Sequence, residues 1–200
     1  MAHDTTKWFP WCGMNEDRDR ISRVQDDVFL TSWRGAALST DLKALGVTHI
    51  VCCMEEPCEA DDGHGPGHAG FETVTLLITD DEQQGMGPAV DTALKFMTGA
   101  IADGGRVAVH CAAGISRSTT VVLAFLMRQR SMTLVDAFAH TRAARPVVWP
   151  NDGFMRQLAA LEVSIHGGEP TIDPEEYVVW GRRDGEAYAA AKVVDRPAAP

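Results

Sequence analysis

The feature that most constrains the fold of this chain is a short apolar segment that passes, through four small residues, into a long apolar segment. Residues 106–110 (RVAVH) predict a short buried strand, and residues 115–130 predict a helix that is apolar on most of its surface. Such a helix must lie in a core, and the strand before it must pair in a sheet. This combination is typical of an α/β domain, in which helices cover the faces of a parallel sheet.

The remainder of the chain repeats this alternation of strands and helices. Strands are predicted at residues 27–31, 47–54 and 71–78, and helices at residues 36–45, 88–102, 133–145 and 152–166. Alternating elements are joined by right-handed crossovers between parallel strands. We therefore predict an α/β fold with a mainly parallel central sheet flanked by helices.

Composition divides the chain into three parts. Residues 1–24 are a polar and charged N-terminal arm, and residues 25–166 have the length and pattern of one folded domain. Residues 167–200 are rich in Gly, Pro, Ala and acidic residues, which predicts a loosely packed or disordered tail. Within this tail, residues 177–180 (YVVW) have the pattern of one docked strand or turn.

Charge and cysteine content exclude several classes of function. The formal net charge is −10 and the pI is about 5.1, so the chain is a poor general binder of nucleic acid or anionic membrane. The longest apolar stretch, residues 121–127, is too short to cross a bilayer. Five cysteines cannot form a complete set of internal disulfides, and residues 1–10 lack the pattern of a secretory signal. We therefore expect a cytoplasmic protein, with a nuclear location as the alternative.

The segment 57–70 is rich in Gly, Pro and Asp and is predicted to be a flexible surface loop. It contains His64 and His68, but their spacing matches no established metal site. We therefore expect neither a metal nor a cofactor.

The residues after the 106–110 strand have the composition of an anion-binding loop. Small side chains let successive backbone N–H groups turn inward, and Gly114 can adopt the positive φ of a tight turn. The following helix directs its N-terminus to the same point, and Arg117 can hold two phosphate oxygens with its planar guanidinium. The predicted phosphate-binding residues are Ala112, Ala113, Gly114, Ile115, Ser116 and Arg117.

Cys111 lies at the base of this electropositive loop, which favours the thiolate form of its side chain. A thiolate at the centre of a phosphate site is a nucleophile directed at phosphorus, and it implies a cysteinyl-phosphate intermediate. A cysteine considered alone is more often structural. The combination of His110, Cys111, Gly114, Arg117 and Ser118 at fixed spacing favours catalysis.

The motif His110-Cys111-x5-Arg117-Ser118 resembles the signature loop of the cysteine-based protein tyrosine phosphatases, and is most similar to that of the small dual-specificity phosphatases. The resemblance covers about residues 25–163. It implies an enzyme that removes phosphate from phosphotyrosine and phosphoserine or phosphothreonine of phosphoproteins, without a metal or a cofactor. The other segments that carry it are DDVFLTS (26–32), LGVTHIVCC (45–53), the two helices in 115–146, and PN-x2-F-x2-QL (150–158).

Such an enzyme needs an acid to protonate the departing oxygen. The family uses an Asp that follows a strand some thirty residues before the nucleophile, and residues 78–80 (ITD) resemble its I-x-D arrangement. The resemblance favours Asp80 over Asp81 as this acid, with Glu82 as a weaker third candidate.

The resemblance implies supporting roles for three further residues. Ser118 is similar to the hydroxyl that bonds the nucleophilic sulfur and aids its departure, and His110 is similar to the histidine that supports the loop by hydrogen bonds. Asn151 either braces the loop or caps the last helix of the domain.

Some members of this family protect the nucleophile by a disulfide with a cysteine near the end of a neighbouring strand. Here the candidates are Cys53 and Cys52. Because successive side chains of a strand point to opposite faces, only one of the two can face the loop, and Cys53 is favoured. The alternative, that both are small buried apolar residues, stays open.

Two alternative functions stay open. The same chemistry could act on a phosphoinositide, an RNA 5′-phosphate or a phosphoglucan, but the loop lacks the extra Lys or Arg that such substrates require. A phosphate-binding adaptor without activity is disfavoured because the nucleophile, arginine and acid are all present.

Three arginines have two possible locations. They either flank the site and bind a second phosphate or lie on solvated helix faces, and they are Arg142, Arg145 and Arg156. The oligomeric state is not predicted.

Overall fold

The computed structural model describes residues 19–56 and 68–181. The predictions for the start of the arm, for His64 and for the end of the tail lie outside these residues. The strands of the described part are β1 (Ser22–Arg23), β2 (Val28–Ser32), β3 (His49–Met54), β4 (Glu72–Leu77) and β5 (Val107–Cys111). Its helices are α1 (Trp33–Ala37), α2 (Ser39–Ala44), α3 (Gly87–Ala102), α4 (Arg117–Arg130), α5 (Leu134–Ala144), α6 (Asp152–His166) and α7 (Pro174–Gly181).

The strands form one sheet in the order β1-β2-β5-β3-β4. The strands β2, β5, β3 and β4 are parallel, and β1 pairs antiparallel with β2. The carboxyl end of β5 therefore lies between those of β2 and β3, and Ser32 is paired with Cys111 there. Ligands bind at this edge in open α/β sheets. The predicted fold class is confirmed.

Helices cover both faces of the sheet, but unequally. On one face, Leu30 of β2 and Val109 of β5 belong to the main core, which is shared with α3, α4, α5 and α6. On the other face, Phe29 and Ala108 pack with Leu42 of α2 in a smaller core. Adjacent residues of each strand point to opposite faces, which explains why these strands are apolar at consecutive positions.

Helix α4 is central to the main core, as its composition predicts, because its residues from Arg117 to Met127 are all buried. It begins two residues later than predicted. The carbonyl of Ile115 accepts a hydrogen bond from the Trp149 N–H instead of from the helix, and the first helical bond is from Thr120 N to Ser116 O. Residues 115–116 therefore belong to the loop after β5.

The single helix predicted at residues 36–45 is wrong, because this segment is divided between α1 and α2. The hydroxyl of Ser32 accepts a hydrogen bond from Gly35 N and starts α1 at Trp33. Leu38 interrupts the helix with a ψ of 63° and is 46% exposed, so it does not pack in the core. A side chain at Gly35 would overlap Thr31, so only glycine permits this close approach.

Two packed segments lie in regions predicted to be peripheral. Strand β1 belongs to the predicted arm, yet Ser22 is buried and paired with Leu30. The predicted tail also contains a packed part, since Ile172 and Tyr177 are fully buried and α7 is a helix rather than the expected strand or turn. Composition does not predict this packing because it depends on a few specific contacts rather than on average polarity.

Candidate active site

The loop of residues 112–116 joins the end of β5 to the start of α4. Gly114 in this loop has a φ of 66°, which confirms the predicted positive φ. A Cβ atom there would lie 2.5 Å from the carbonyl oxygen of Thr31 and 2.7 Å from Nη2 of Arg145. The loop therefore requires glycine both for its conformation and for its close approach to β2.

Arg145 holds the loop from behind. Its side chain is buried, and its Nε and Nη2 donate to the carbonyls of Gly114 at 2.8 Å and Ala113 at 3.1 Å. Its Nη1 donates to the carbonyl of Arg20 at 2.9 Å. Arg145 thus neither lies on a solvated face nor flanks the site to bind a second phosphate, so both sequence-based interpretations are wrong. Its partners are backbone atoms far away in the chain, which no local pattern indicates.

Two further backbone bonds hold the outer side of the loop. Trp33 N donates to the carbonyl of Ala112 at 3.2 Å, and Trp149 N donates to that of Ile115 at 2.8 Å. Together with the bonds from Arg145, they direct four successive loop carbonyls away from the concave side. Peptide planes held in this way leave the loop N–H groups to bind an anion.

Cys111 lies at the base of the concave side and is 1% exposed. Its sulfur accepts hydrogen bonds from Gly114 N at 3.2 Å and from the Ser118 hydroxyl at 3.1 Å. Both donors stabilise negative charge on the sulfur, because a charge-assisted hydrogen bond is stronger than a neutral one. The predicted contact between Ser118 and the sulfur is present.

Arg117 lies beside the loop with 7% of its side chain exposed. Its Nη1 donates to the carbonyl of Ile78 at 3.3 Å and contacts a carboxylate oxygen of Glu55 at 3.5 Å. Its Nε is buried and has no hydrogen-bond partner among the described residues. The nearest carboxylate to this atom is that of Asp80, at 3.8 Å. A guanidinium in this state is suited to bind an anion in the loop.

Of the three candidate acids, Asp80 is the one that contacts the loop. One oxygen of its carboxylate accepts hydrogen bonds from the Ser116 hydroxyl at 2.6 Å and from Nδ2 of Asn151 at 2.8 Å. Asp81 instead accepts from the N–H of Gln83 within its own turn. Glu82 is half exposed and pairs with Arg156 on α6. Arg156 is therefore a partly exposed residue of α6 outside the phosphate loop (residues 112–116), as the interpretation of a solvated helix face predicts.

Asn151 combines the two roles that the sequence left open. Its Oδ1 caps α6 by accepting from Phe154 N at 2.8 Å, and its own N–H donates to the Ser116 hydroxyl at 3.0 Å. Its side-chain amide at the same time bonds Asp80. Asn151 thus connects the helix cap, the phosphate loop and the candidate acid.

Gln157 is a further residue of the site whose role the sequence does not predict. Its side chain accepts from Met86 N at 2.7 Å and donates to the carbonyl of Gln84 at 2.9 Å. A side chain at Gly153, one turn earlier on α6, would overlap the carbonyl of Glu82. Helix α6 therefore fixes the loop that follows Asp80 by a close approach and by two hydrogen bonds.

His110 is fully buried, and its ring lies 5.1 Å from that of His68 in an edge-on arrangement. Burial, followed by the neighbouring His68, lowers the pKa of His110 to about 3, although the backbone of Cys111 opposes this shift. Neither ring nitrogen makes a hydrogen bond of ordinary geometry with the described residues, and the backbone of Cys111, at the base of the loop, acts on the ring. His68 is buried, so it is not part of an exposed surface loop.

The two cysteines at the end of β3 differ in state. Cys52 is disulfide-bonded, whereas Cys53 and Cys111 are buried free thiols. Cys52 is paired in register with His110, so Cys53 lies one step further along β3, toward the level of Cys111. Burial raises the pKa of Cys53, and the charge of Cys111 adds to this effect. Of the two cysteines, Cys53 is therefore the one whose thiol interacts with Cys111.

Within residues 19–56 and 68–181, no group of three or more His, Cys, Asp and Glu side chains is arranged to hold a metal ion. No helix in the same ranges is long and apolar enough to span a membrane.

Comparisons with known proteins agree with this geometry. The chain is 36% identical over 149 residues to the Arabidopsis thaliana dual specificity protein phosphatase PHS1, covering 74% of this chain and 16% of that protein. It is 36% identical over 146 residues to Arabidopsis thaliana dual specificity protein phosphatase 1, covering 72% and 70%. The crystal structure of human DUSP28 has a TM-score of 0.66 at 32% identity, covering 72% of this chain and 93% of that one.

The chain thus spans only a small part of the first relative and about seven tenths of the second. Residues 28–164 match the family model described as the dual specificity phosphatase catalytic domain. This match covers more than half of the chain and includes the whole of the phosphate loop, the candidate acid and Asn151. The chain therefore belongs to the dual-specificity phosphatases, a family of protein phosphatases within the cysteine-based protein tyrosine phosphatase superfamily.

Proposed function

We propose that this protein hydrolyses phosphotyrosine and phosphoserine or phosphothreonine in proteins through a cysteinyl-phosphate intermediate. The observation that carries the proposal is the environment of the Cys111 sulfur, which lies at the base of the loop and accepts hydrogen bonds from Gly114 N and the Ser118 hydroxyl. Arg117 and Asp80 lie beside the same loop. Nucleophile, anion site and acid are thereby brought together.

In the first step the phosphate is bound by the N–H groups of residues 112–117 and by the guanidinium of Arg117. The Cys111 thiolate attacks phosphorus, an S–P bond forms, and the bond between phosphorus and the leaving oxygen breaks. Asp80 donates a proton to that oxygen. Since one carboxyl oxygen of Asp80 already accepts two hydrogen bonds, the proton is carried by the other oxygen, which is the one near Arg117.

In the second step a water molecule replaces the thiolate. The Asp80 carboxylate accepts a proton from the water, the water oxygen attacks phosphorus, and the S–P bond breaks. The Ser118 hydroxyl stabilises the departing thiolate through the hydrogen bond that it makes to the sulfur. The net reaction is hydrolysis of a phosphate monoester to an alcohol and inorganic phosphate.

The charges around the site favour a phosphoprotein over a more highly phosphorylated substrate. Residues 112–116 contain no cationic side chain, and the described side chains that pair with Arg117 are the carboxylates of Glu55 and Asp80. A phosphoinositide, RNA 5′-phosphate or phosphoglucan would bring further negative charge or need further cations here. An adaptor role is disfavoured because the nucleophile, the arginine and the acid are in contact with one loop.

Trapping the intermediate tests the mechanism directly. Acid quenching during turnover of a radiolabelled phosphopeptide should leave label on the protein at Cys111, and Cys111→Ser should abolish both label and turnover. Cys53→Ser is the matched control, since it removes the other buried free thiol and should keep turnover. Turnover by Cys111→Ser near the wild-type rate would exclude the covalent mechanism. A parallel panel of phosphotyrosine and phosphothreonine peptides, a phosphoinositide and an RNA 5′-triphosphate tests the substrate class.

The neighbouring carboxylates provide a matched pair for testing the acid. Asp80→Asn should slow an aryl phosphate with a poor leaving group far more than one with a good leaving group, because only the former needs a proton in the transition state. Asp81→Asn should change both rates little, because Asp81 bonds only within its own turn among the described contacts. The opposite pattern would assign the acid to Asp81.

A further inference from the structure

One indirect contact of helix α7 with the active site runs through a buried tyrosine. Tyr177 is fully buried, and its ring stacks on that of Trp149 with centroids 4.3 Å apart and an interplanar angle of 11°. Its hydroxyl donates to the carbonyl of Pro150 at 2.7 Å. Proline has no N–H, so the carbonyl is the only backbone group through which residue 150 can be held.

The segment that Tyr177 contacts, residues 149–151, binds both of the loops that carry the chemistry. Trp149 N donates to the carbonyl of Ile115, and Asn151 N donates to the hydroxyl of Ser116. The Asn151 side chain donates to Asp80. A displacement of these three residues would therefore move Asp80 relative to the phosphate loop.

The segment that carries Tyr177 is anchored to the domain independently of this contact. Glu162 on α6 is buried, and its carboxylate accepts from Thr171 N and from the Thr171 hydroxyl, both at 2.7 Å. Its Oε1 also accepts from Leu134 N at the start of α5. These charge-assisted bonds hold residue 171, six positions before Tyr177. The anchored segment lies beyond residue 164, where the match to the family domain ends.

We propose that Tyr177 is a positioning residue for the acid step, acting through residues 149–151 on Asp80. The inference rests on the proposed role of Asp80 as the general acid. Tyr177 touches no reacting atom, and its contribution is to keep the Asn151 amide where it orients the carboxyl of Asp80. Its loss should impair proton donation to the leaving group more than it impairs attack by Cys111.

The test compares kcat/KM for phenyl phosphate, a poor leaving group, with kcat/KM for 4-nitrophenyl phosphate, a good one, in the full chain. Tyr177→Phe keeps the ring but removes the hydroxyl that donates to Pro150, and it should lower the ratio of the two values about threefold, the order expected for one ordinary hydrogen bond. Tyr177→Leu also removes the stacking on Trp149 and should lower it about tenfold. The decrease in this ratio for Asp80→Asn is the largest that loss of proton donation can produce.

Met127→Ala is the matched control for loss of stability. Met127 is fully buried on α4, ten residues and about 15 Å along the helix from Arg117. This variant should lower Tm without changing the ratio. The proposal is overturned if both Tyr177 variants keep the wild-type ratio while Asp80→Asn lowers it. If Asp80→Asn itself leaves the ratio unchanged, the proposed acid is wrong and the role of Tyr177 falls with it. Should Tyr177→Leu fail to fold, the ratio of Tyr177→Phe decides.

Discussion

Arg145 allows a quantitative test of how the phosphate loop is held in shape. Arg145 is 1% exposed, and the substitution Arg145→Met keeps most of its length while removing the three hydrogen bonds to backbone carbonyls that the described residues show. The bond to Gly114 is buried, whereas those to Ala113 and Arg20 are partly buried. Water can replace the donor at the second and third carbonyls but not at the first.

The expected loss follows from these three environments. A buried carbonyl without a donor costs about 1–3 kcal/mol, and each partly buried carbonyl costs about 0.5 kcal/mol once water replaces the arginine. Part of this loss is offset because the guanidinium no longer has to be desolvated. We expect the free energy of unfolding to fall by about 2–3 kcal/mol, which lowers Tm by about 4–12 °C for a domain of this size. The loop peptides are then free to rotate, and kcat/KM should fall about 100-fold, as expected for misplacement of binding groups by about 1 Å.

Thermal unfolding and steady-state hydrolysis of an aryl phosphate measure the two effects. The control is Arg130→Met, the same substitution at the far end of α4, where the guanidinium makes a partly exposed ion pair with Asp27. It should lower the free energy of unfolding by less than about 1 kcal/mol and leave kcat/KM unchanged. If Arg145→Met also keeps kcat/KM within a few-fold of wild type, the bonds from Arg145 do not order the loop.

Glu55→Gln removes a largely exposed carboxylate that competes with phosphate for Arg117. The KM for an aryl phosphate should therefore fall about two- to fivefold at low salt, and a higher KM would contradict this. Burial lowers the pKa of His110 to about 3, so below its ordinary value of 6.5 only the unfolded chain binds the proton. The free energy of unfolding should then fall as the pH drops from about 6.5 toward 3, with a limiting slope of about 1.4 kcal/mol per pH unit. Denaturant titrations at pH 7.0 and 5.5 should differ by about 1.3 kcal/mol from this source, and this part of the fall should be missing in His110→Gln. Mild peroxide should oxidise the Cys111 thiolate to a sulfenic acid that condenses with the Cys53 thiol, releasing water and forming a disulfide. Peptide mapping should find this bond with activity restored by added thiol, whereas sulfinic acid at Cys111 without a cross-link would contradict it.

The fold class and the phosphate loop follow from local sequence, because the residues involved are neighbours in the chain. Residues 107–117 contain a strand, a glycine with a positive φ and the start of a helix. This combination can be recognised from the local sequence without knowledge of any distant contact. The order of the strands in the sheet cannot be predicted in this way. Strands β2, β3 and β5 are all apolar on both faces, so no sequence pattern shows which of them lies in the middle. That β5 lies between β2 and β3 is decided by packing with α4 and by the crossovers.

The residues that support the site could not be predicted for the same reason. Arg145 binds carbonyls 31 and 125 residues away, and an arginine on an amphipathic helix ordinarily faces water. Tyr177 lies in a segment whose average composition favours disorder, yet it packs against the rings of Trp149 and Phe138 and donates to the carbonyl of Pro150. Composition averages over a segment, whereas packing depends on single side chains.

The position of Asp80 depends on a closed set of three hydrogen bonds rather than on any one of them. The Ser116 hydroxyl donates to Asp80 and accepts from Asn151 N, and the Asn151 amide donates to the same oxygen of Asp80. A carboxyl held by one bond could still rotate, whereas donors from two separate segments fix its plane. Removing either donor leaves the other able to swing, so the effects of substituting Ser116 and Asn151 on the acid step should be less than additive. The proposed acid Asp80 is thus held by the phosphate loop and Asn151 together, so its position relative to Cys111 is set when the loop is formed.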